Sequence, residues 1–438
     1  MWHQTSFTRF AGSTGTLGLL LLAVGLLAGC PGPHLMPTPN VYVQTQAHPF
    51  ADVAPPLRTN TVDVLYATDR QPIPRDDGPL AYGSGRSFAL AVGSCVVEIG
   101  QDVAWDTLVQ QSQQAERTQE LPLRIRTMTE QVKFPATPMP FVLHNGQPTV
   151  APAVQAVYDH AAEQVRQDLR QRLALTSRKA AYVYIHGYNN TFEDGVLVIA
   201  ELWHFLGRQG VPILYTWPAG SGGLLRGYTR DRESGEFTLF HLKQFLRLLA
   251  STPELEELNL IAHSRGTDVL TSALRELYIE TSAAGKDFRT VYRIKNVVLA
   301  AADLDLEVVT QRMAAEYMGL GTERTTLYVS DADRAIGFSG LLFASLRRMG
   351  QLRPEDLSDE QRQHIERVAR TQLIDARVPT GFIGHAYFYR HPAVSADLIL
   401  VLRDQLEPGS PGRPLRKRGA NFWQITPDYP GVPGTPGR

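Results

Sequence analysis

A serine lies where a short apolar run meets the start of a predicted helix. Residues 258 to 262 predict a buried strand, and residues 268 to 277 predict a helix. Ser264 falls in the turn between them, with Ala262 and Gly266 as small neighbours. Small side chains are needed there because the strand and helix backbones pass close to the serine. A serine at the apex of such a turn can act as a nucleophile, although the pattern also fits an ordinary serine in a strand-to-helix turn.

A second run of β-branched and aromatic residues ends at a histidine and a glycine. Residues 181 to 185 predict a strand, and His186 and Gly187 follow it. Glycine lets the chain turn sharply and present backbone N–H groups instead of side chains. Such N–H groups, held near a nucleophilic serine, could stabilise the negative charge that develops on a carbonyl oxygen under attack. The two segments together favour acyl-transfer chemistry over an incidental serine.

Further short motifs accompany these two segments along the chain. They are Tyr66-Ala67-Thr68-Asp69-Arg70, Thr216-Trp217-Pro218, Gly227-Tyr228 with Asp231-Arg232, Ala301-Ala302-Asp303, Tyr328-Val329-Ser330 with Asp333-Arg334-Ala335, and Gly384-His385-Ala386-Tyr387. With His186-Gly187-Tyr188-Asn189 and Ala262-His263-Ser264-Arg265-Gly266, the chain resembles a bacterial α/β-hydrolase family of uncharacterised esterase-like proteins. The resemblance covers about residues 60 to 400 and implies a serine hydrolase with no settled substrate. It implies a doubly wound, mostly parallel sheet with helices on both faces, which the alternating strands and helices also predict.

The α/β-hydrolase fold assigns an oxyanion hole to two backbone amides. One N–H comes from the loop after the Gly187 strand, and the other from the residue after the nucleophile. Here these are the amides of Tyr188 and Arg265. A serine activated by a histidine and a carboxylate needs no cofactor and no metal.

The general base is expected among the histidines downstream of Ser264, because the chain order in this fold is serine, acid, histidine. His364 lies in a predicted helix with its own capping box, and His391 precedes a proline. His385 follows a strand-like run at residues 373 to 378 and Gly384, which frees its loop. His385 is therefore the predicted base.

Three aspartates compete for the role of the acid. Counting from the strand of Tyr182, the nucleophile strand is third, the strand before Asp303 is fourth, and the strand before Asp331 and Asp333 is fifth. The acid usually follows the fifth of these strands, and the motif with Asp333 agrees, so Asp333 is the predicted acid. Asp331 is the near alternative and Asp303 the more distant one. Asp303 is also well placed to cap a helix that begins near Leu306.

Other chemistries find little support in the sequence. His186 and His263 flank the proposed site, but no His-Glu-x-x-His helix, Cys pair or carboxylate run supports a metal site, so both are expected to pack around it. The glycines at 220 to 223 lack the Gly-Lys-Ser/Thr of a phosphate loop. The formal net charge is −1 and the pI about 6.9, which argues against a nucleic-acid partner.

The first residues predict export and a lipid anchor. An apolar segment at residues 17 to 27 follows Arg9 and is shorter than the roughly 20 residues of a membrane span. It ends in Leu27-Ala28-Gly29-Cys30, which resembles the bacterial lipobox, so Cys30 would become a lipid-modified first residue. The alternative is an ordinary secretory signal with an incidental cysteine. Proline at position 31 favours the outer membrane, with the enzyme facing the periplasm. Cys95 is then left as the single other cysteine, which rules out an intramolecular disulfide.

The 438 residues are predicted to form one hydrolase domain between short flanking segments. These are a signal peptide at 1–29, a Pro-rich tether at 30–60, the domain at 61–405, and a disordered Pro/Gly-rich tail at 406–438. Within the domain, residues 61–150 supply the first strands and 151–405 the catalytic core. Residues 220–237 and 337–370 could cover the site, although the apolar stripe within the second is more typical of a helix packed on the sheet.

The predicted function is hydrolysis of a carboxylic ester, from a small molecule or a lipid, at the cell envelope. An acyltransferase or a peptidase would use the same triad and differ in what accepts the acyl group. A non-catalytic envelope binding protein on the same fold is the alternative from another class. The sequence does not indicate an oligomeric state.

Overall fold

The computed structural model describes residues 32–431 except 46, 75–77, 223–224, 317, 331–348, 353–358, 360–362, 364–369, 377, 379–384 and 427. Its strands are β1 Thr61–Pro72, β2 Tyr82–Ile99, β3 Leu123–Lys133, β4 Phe141–His144, β5 Gln147–Val150, β6 Ala180–Ile185, β7 Val211–Thr216, β8 Glu257–His263, β9 Ile294–Ala300, β10 Arg324–Val329, β11 Thr371–Asp375, β12 Arg416–Lys417 and β13 Phe422–Gln424. Its α-helices are α1 Asn40–Gln44, α2 Trp105–Gln111, α3 Pro152–Ala174, α4 Phe192–Phe205, α5 Leu225–Ala250, α6 Gly266–Ala283, α7 Phe288–Tyr292, α8 Leu306–Val309, α9 Tyr387–Arg390 and α10 Pro392–Leu402. No helix in the described part of the chain is long and apolar enough to cross a membrane.

The centre of the molecule is an 11-stranded sheet with the order β12-β13-β11-β10-β9-β8-β6-β7-β1-β2-β3. The strands from β1 to β13 in this order run parallel, and β2, β3 and β12 are antiparallel to their neighbours. The prediction of a doubly wound, mostly parallel sheet is confirmed. The carboxyl ends of the parallel strands all lie at the same end of the sheet.

Helices cover both faces of the sheet because the parallel strands are apolar on both sides. Along β6, Tyr182 and Tyr184 belong to one core cluster, which includes apolar residues of α4 and α10. Val183 and Ile185 point the other way, into a second cluster with residues of α3, α5 and α6. All six residues of β6 are buried, as expected of a central strand in a three-layer fold.

The prediction of a Pro-rich tether at residues 30–60 is wrong for the residues that the structure describes, which begin at 32. Leu35 and Met36 are buried in the core. The Leu35 N–H donates to the Leu121 carbonyl at 2.8 Å, and the Met36 N–H donates to Glu201 Oε2 at 2.7 Å. Apolar side chains between the prolines give this segment enough surface to bury, so it packs on the domain.

The prediction of a disordered tail at 406–438 is also wrong as far as residue 431. The tail adds β13 and β12 to the sheet, with β13 parallel to β11. Arg413 forms a fully buried ion pair with Asp397 at 2.8 Å, and Tyr429 is buried as well. The tail is therefore part of the domain in spite of its high Pro and Gly content, because its side chains are buried and its strands extend the sheet.

Candidate active site

Ser264 occupies a strained turn between β8 and α6. Its φ is +52°, in the left-handed region that a residue with a side chain rarely adopts. A Cβ at Gly266 would lie 2.4 Å from the His186 carbonyl oxygen, so the residue there has to be glycine. A Cβ at Gly187 would lie 2.7 Å from the Ser264 Cβ. The turn therefore brings the serine directly against the loop that follows β6.

The loop after β6 is held by side chains that accept hydrogen bonds from its amides. The Gly187 N–H donates to Asn190 Oδ1 at 3.0 Å, and the Asn189 N–H donates to Asp231 Oδ2 at 2.9 Å. Asp231, fully buried on α5, also accepts from the Gly220 N–H at 3.1 Å and from Ser221 Oγ at 2.9 Å. Asp231 thus fixes the loop that carries the amide of Tyr188.

Arg70 and His186 also hold this loop in place through hydrogen bonds to its carbonyls. Arg70 Nη2 donates to the Asn190 carbonyl at 2.7 Å, and its Nε donates to Thr216 Oγ1 at 2.7 Å. Burial lowers the pKa of Arg70 to about 10, so the guanidinium keeps its charge at neutral pH. The Trp217 N–H lies 3.2 Å from His186 Nε2, which must accept, so Nδ1 carries the proton and donates to the Gly187 carbonyl at 3.0 Å. Burial and then the nearby Arg70 hold the pKa of His186 well below its ordinary value.

Sequence reasoning did not assign these roles to Arg70 and Asp231. Both residues stand in the short motifs that carry the family resemblance, and that position was the available signal. The motifs alone do not indicate which loop each charged side chain contacts, because the partners are far apart in the sequence. The separation is 120 residues for Arg70 and 42 for Asp231.

His385 lies beside the residue that precedes Ser264. His263 Nε2 is 3.0 Å from the His385 carbonyl oxygen and therefore carries the proton of this hydrogen bond. The ring centroids of His263 and His385 are 4.6 Å apart. The ring centroid of Phe388 lies 4.9 Å from that of His263. Burial, and then the nearby His385, hold the pKa of His263 well below its ordinary value. The neutral His263 ties the start of α9 to the end of β8.

The two predicted oxyanion donors belong to the two adjoining segments, Arg265 to the nucleophile turn and Tyr188 to the loop after β6. Arg265 directly follows Ser264 and precedes α6, which begins without a side-chain cap. Its guanidinium pairs with Asp268 at 2.6 Å, so the side chain folds along the first turn of the helix. Tyr188 follows Gly187, and its ring lies 5.2 Å from that of Tyr228 at the start of α5.

Of the three candidate acids, the structure describes Asp303 alone. The strand count is correct, since β6, β7, β8, β9 and β10 follow one another along the chain as expected. Asp331 and Asp333 lie outside the described residues. Asp303 follows β9 and is buried, its N–H lies 3.5 Å from the Ser264 carbonyl oxygen, and its Oδ2 accepts from the Tyr228 hydroxyl.

The expectation that Asp303 caps a helix is wrong. The helix α8 does begin at Leu306, but its cap is Asp305, whose Oδ1 accepts from the amides of Glu307 at 2.9 Å and Val308 at 3.1 Å. An N-cap side chain must reach the second or third amide of the helix, and Asp303 stands two residues too early.

The sequence from residue 161 to residue 402 matches a family described as alpha/beta hydrolase of unknown function (DUF900). The chain belongs to this α/β-hydrolase family. Among curated proteins, none matches the sequence. The family establishes the hydrolase fold and leaves the reaction and the substrate open.

No group of three or more metal-ligating side chains occurs among the described residues of this hydrolase. Three of its described histidines, His186, His204 and His263, are buried, and burial is the main cause of their lowered pKa. Only the first and the last of them adjoin Ser264, and each is committed to a backbone carbonyl.

An apolar cavity of about 130 Å³ lies on the α6 face of the sheet. Its walls include Leu274, Leu299, Leu306, Met313 and Leu327. Leu299 and Leu306 flank the segment 300–305, whose backbone contacts Ser264. A pocket of this size with apolar walls has room for an apolar group about as large as benzene. It can therefore take a short apolar part of a ligand.

Proposed function

We propose that this α/β-hydrolase is a serine esterase that cleaves a carboxylic ester through an acyl-enzyme. Ser264 is the nucleophile, His385 the general base and Asp333 the acid. The single observation that carries the proposal is the left-handed turn at Ser264, pressed between the N-terminus of α6 and the loop after β6. A strained serine at this junction has a cost in stability that an ordinary packing role would not require.

In the first half of the reaction, His385 accepts the proton of the Ser264 hydroxyl as Oγ attacks the ester carbonyl carbon. The carbonyl oxygen becomes an oxyanion, which the N–H groups of Tyr188 and Arg265 stabilise. As the tetrahedral intermediate collapses, the C–O bond to the alcohol breaks and His385 returns the proton to the departing alcohol. The acyl group is then bound to Ser264 as an ester.

In the second half, water attacks the acyl-enzyme by the same route. His385 takes a proton from the water, the hydroxide adds to the carbonyl carbon, and the Ser264 Oγ leaves with that proton as the acid is released. The buried network of Arg70, His186 and Asp231 supports this step by keeping the oxyanion loop in place between the two halves of the reaction. Fixed donors need no reorganisation as charge develops, which is the main source of their effect.

A fluorophosphonate probe tests the nucleophile. Such probes react with a serine only when it is activated, so the full chain should gain one covalent adduct, on the peptide that contains Ser264. The Ser264→Ala variant should stay folded and lose the adduct, as shown by intact mass and by thermal melting. An adduct that persists in the variant would favour the non-catalytic binding protein. A panel of esters with acyl chains of increasing length then identifies the preferred substrate class.

We also propose that the enzyme is lipid-anchored at the bacterial cell envelope and faces the periplasm. The support is the lipobox that ends at Cys30. Cys30 should carry diacylglycerol, and the protein should fractionate with membranes. Cys30→Ser should block lipidation and leave either an unprocessed precursor or a soluble exported form. A wild-type protein that is soluble, with a free cysteine at its mature N-terminus, would overturn the anchor.

A further inference from the structure

A small β-hairpin outside the main sheet has one apolar face. The strands β4 and β5 pair with each other, so that Phe141 lies opposite Val150 and Leu143 opposite Pro148. Side chains directly opposite each other, and those two apart along a strand, point to the same side. We call this side, formed by Phe141, Leu143, Pro148 and Val150, the hairpin face.

The hairpin face is turned to solvent. Phe141 is 63% exposed and Leu143 is 69% exposed. The two strands form a sheet of their own in the described part of the chain. A two-stranded ribbon is marginally stable in water, and an exposed apolar patch marks a site of interaction. The hairpin face is therefore a candidate interaction surface.

The hairpin follows the far end of the edge strand β3. After β3, the Phe134 N–H donates to the Leu90 carbonyl at 2.8 Å and the Thr137 N–H to the Phe88 carbonyl at 2.7 Å. Through these hydrogen bonds, the chain after β3 stays paired with β2 as far as the base of the hairpin. The side chain of Phe88, at that base, is 60% exposed. Phe88 is thus another exposed apolar residue, next to the chain that leads into the hairpin.

The opposite end of β3 receives the N-terminal segment. The Leu123 N–H donates to the Pro33 carbonyl at 2.7 Å, and the Leu35 N–H donates to the Leu121 carbonyl at 2.8 Å. Cys30 precedes Pro33 by three residues, and three residues span at most about 11 Å. A lipid on Cys30 would therefore hold the start of β3 close to the bilayer.

The strand between these two points is positively charged. β3 has 11 residues, and this length corresponds to roughly 37 Å of strand. Arg124 and Arg126 are about half exposed and share a single buried carboxylate, that of Glu98, at 3.0 and 3.1 Å. One positive charge is thus left over, and the exposed Lys133 adds another. Glu130, which accepts a hydrogen bond from the Tyr82 hydroxyl at 2.7 Å, offsets one of these two, so β3 and Glu98 together carry a net charge of +1. Cations along this edge suit the phosphates of anionic phospholipids.

We propose that the hairpin face is a second membrane contact and inserts into the bilayer that holds the Cys30 lipid. This rests on the proposed lipid anchor and does not depend on the hydrolase reaction. The anchor at one end of β3, the cations along it and the apolar face beyond its other end all lie on one edge of the domain. A second copy of the chain fits less well, because four side chains fall far short of the roughly 800 Å² per partner that a stable interface buries. Shallow insertion, about 5 to 10 Å into the headgroup region, suits a face of this size.

A fluorophore at position 143 tests the proposal. Leu143→Cys in the full lipidated chain would be labelled with a polarity-sensitive dye, since Cys95 is fully buried and cannot compete. The protein would be reconstituted in vesicles of phosphatidylethanolamine and phosphatidylglycerol that contain brominated acyl chains. Ile279→Cys, at another exposed apolar residue on α6, is the matched control. Emission from position 143 should shift to the blue and be quenched at least several-fold more than emission from position 279.

Equal quenching at the two positions, with acylation of Cys30 verified by mass spectrometry, would overturn the membrane contact. Cross-linking between position 143 of two copies, with no quenching by the brominated lipids, would also overturn it, in favour of self-association. Loss of acylation itself would remove the anchor and the proposal together. Fluorophosphonate labelling of Ser264 in the same sample reports separately on the hydrolase function.

Discussion

Ser264→Ala should lower the rate of ester hydrolysis by about a million-fold, the scale of loss when a triad nucleophile is removed. The remaining oxyanion donors should still leave some acceleration over the reaction in water, because they bind the transition state without the serine. Alanine differs from serine by one oxygen and meets the same strain at φ +52°, so the melting temperature should change little. The measurement is turnover of the best ester from the chain-length panel, with melting recorded on the same samples.

Ser272→Ala is the matched control for this prediction. Ser272 is also buried, in the middle of α6, and has no part in the proposed reaction. Its replacement should leave turnover within a few-fold of wild type. Retention of turnover in Ser264→Ala would place the nucleophile elsewhere or attribute the activity to a contaminant. An equal loss in both variants would show that the effect is not specific to Ser264.

The elements that position the serine could be predicted from the sequence because their signals are local. The apolar run before Ser264 and the small residue Gly266 after it predict a strand, a turn and a helix without reference to distant residues. The order of strands from β6 to β10 follows from the same alternation. The glycine at position 187 was predicted for its backbone, and its close approach to Ser264 gives the physical reason.

The errors fall where pairing between distant residues decides the structure. Composition predicted a free tether and a disordered tail, but Met36 reaches Glu201 and Arg413 reaches the buried Asp397. The same limit applies to the brace formed by Arg70. A polar group in one segment gives no sign of its partner in a distant segment until the fold brings the two together.

The cap of α8 shows that sequence-based prediction can also fail over a distance of two residues. Asp303 and Asp305 are two residues apart and are chemically identical, and both precede the same short helix. The choice between them depends on where the first helical amide lies, and helix boundaries are uncertain by a residue or more in any sequence-based prediction. The structure assigns the cap to Asp305 and places Asp303 next to the carbonyl of Ser264.

The identity of the acid gives the second prediction. Asp333→Asn should lower turnover by about 10⁴-fold, because an amide opposite His385 would stabilise the wrong imidazole tautomer. Asp331→Asn should cost much less, since its side chain would orient the loop and not the imidazole. Asp303→Asn should change turnover modestly, because an asparagine oxygen can still accept the hydrogen bond from Tyr228. Turnover and melting temperature of the three variants would be compared.

Asp305→Ala supplies the control for stability without chemistry. Removing the cap of α8 should cost about 1 kcal/mol and lower the melting temperature, while turnover stays near that of wild type. The structure makes Asp303 a serious rival to Asp333, because it is buried beside the nucleophile turn. If Asp303→Asn abolishes turnover at an unchanged melting temperature and Asp333→Asn does not, the acid follows β9. The carboxylate that Tyr228 contacts would then be the partner of His385, and the hydrogen bond from Tyr228 would serve to hold it in position.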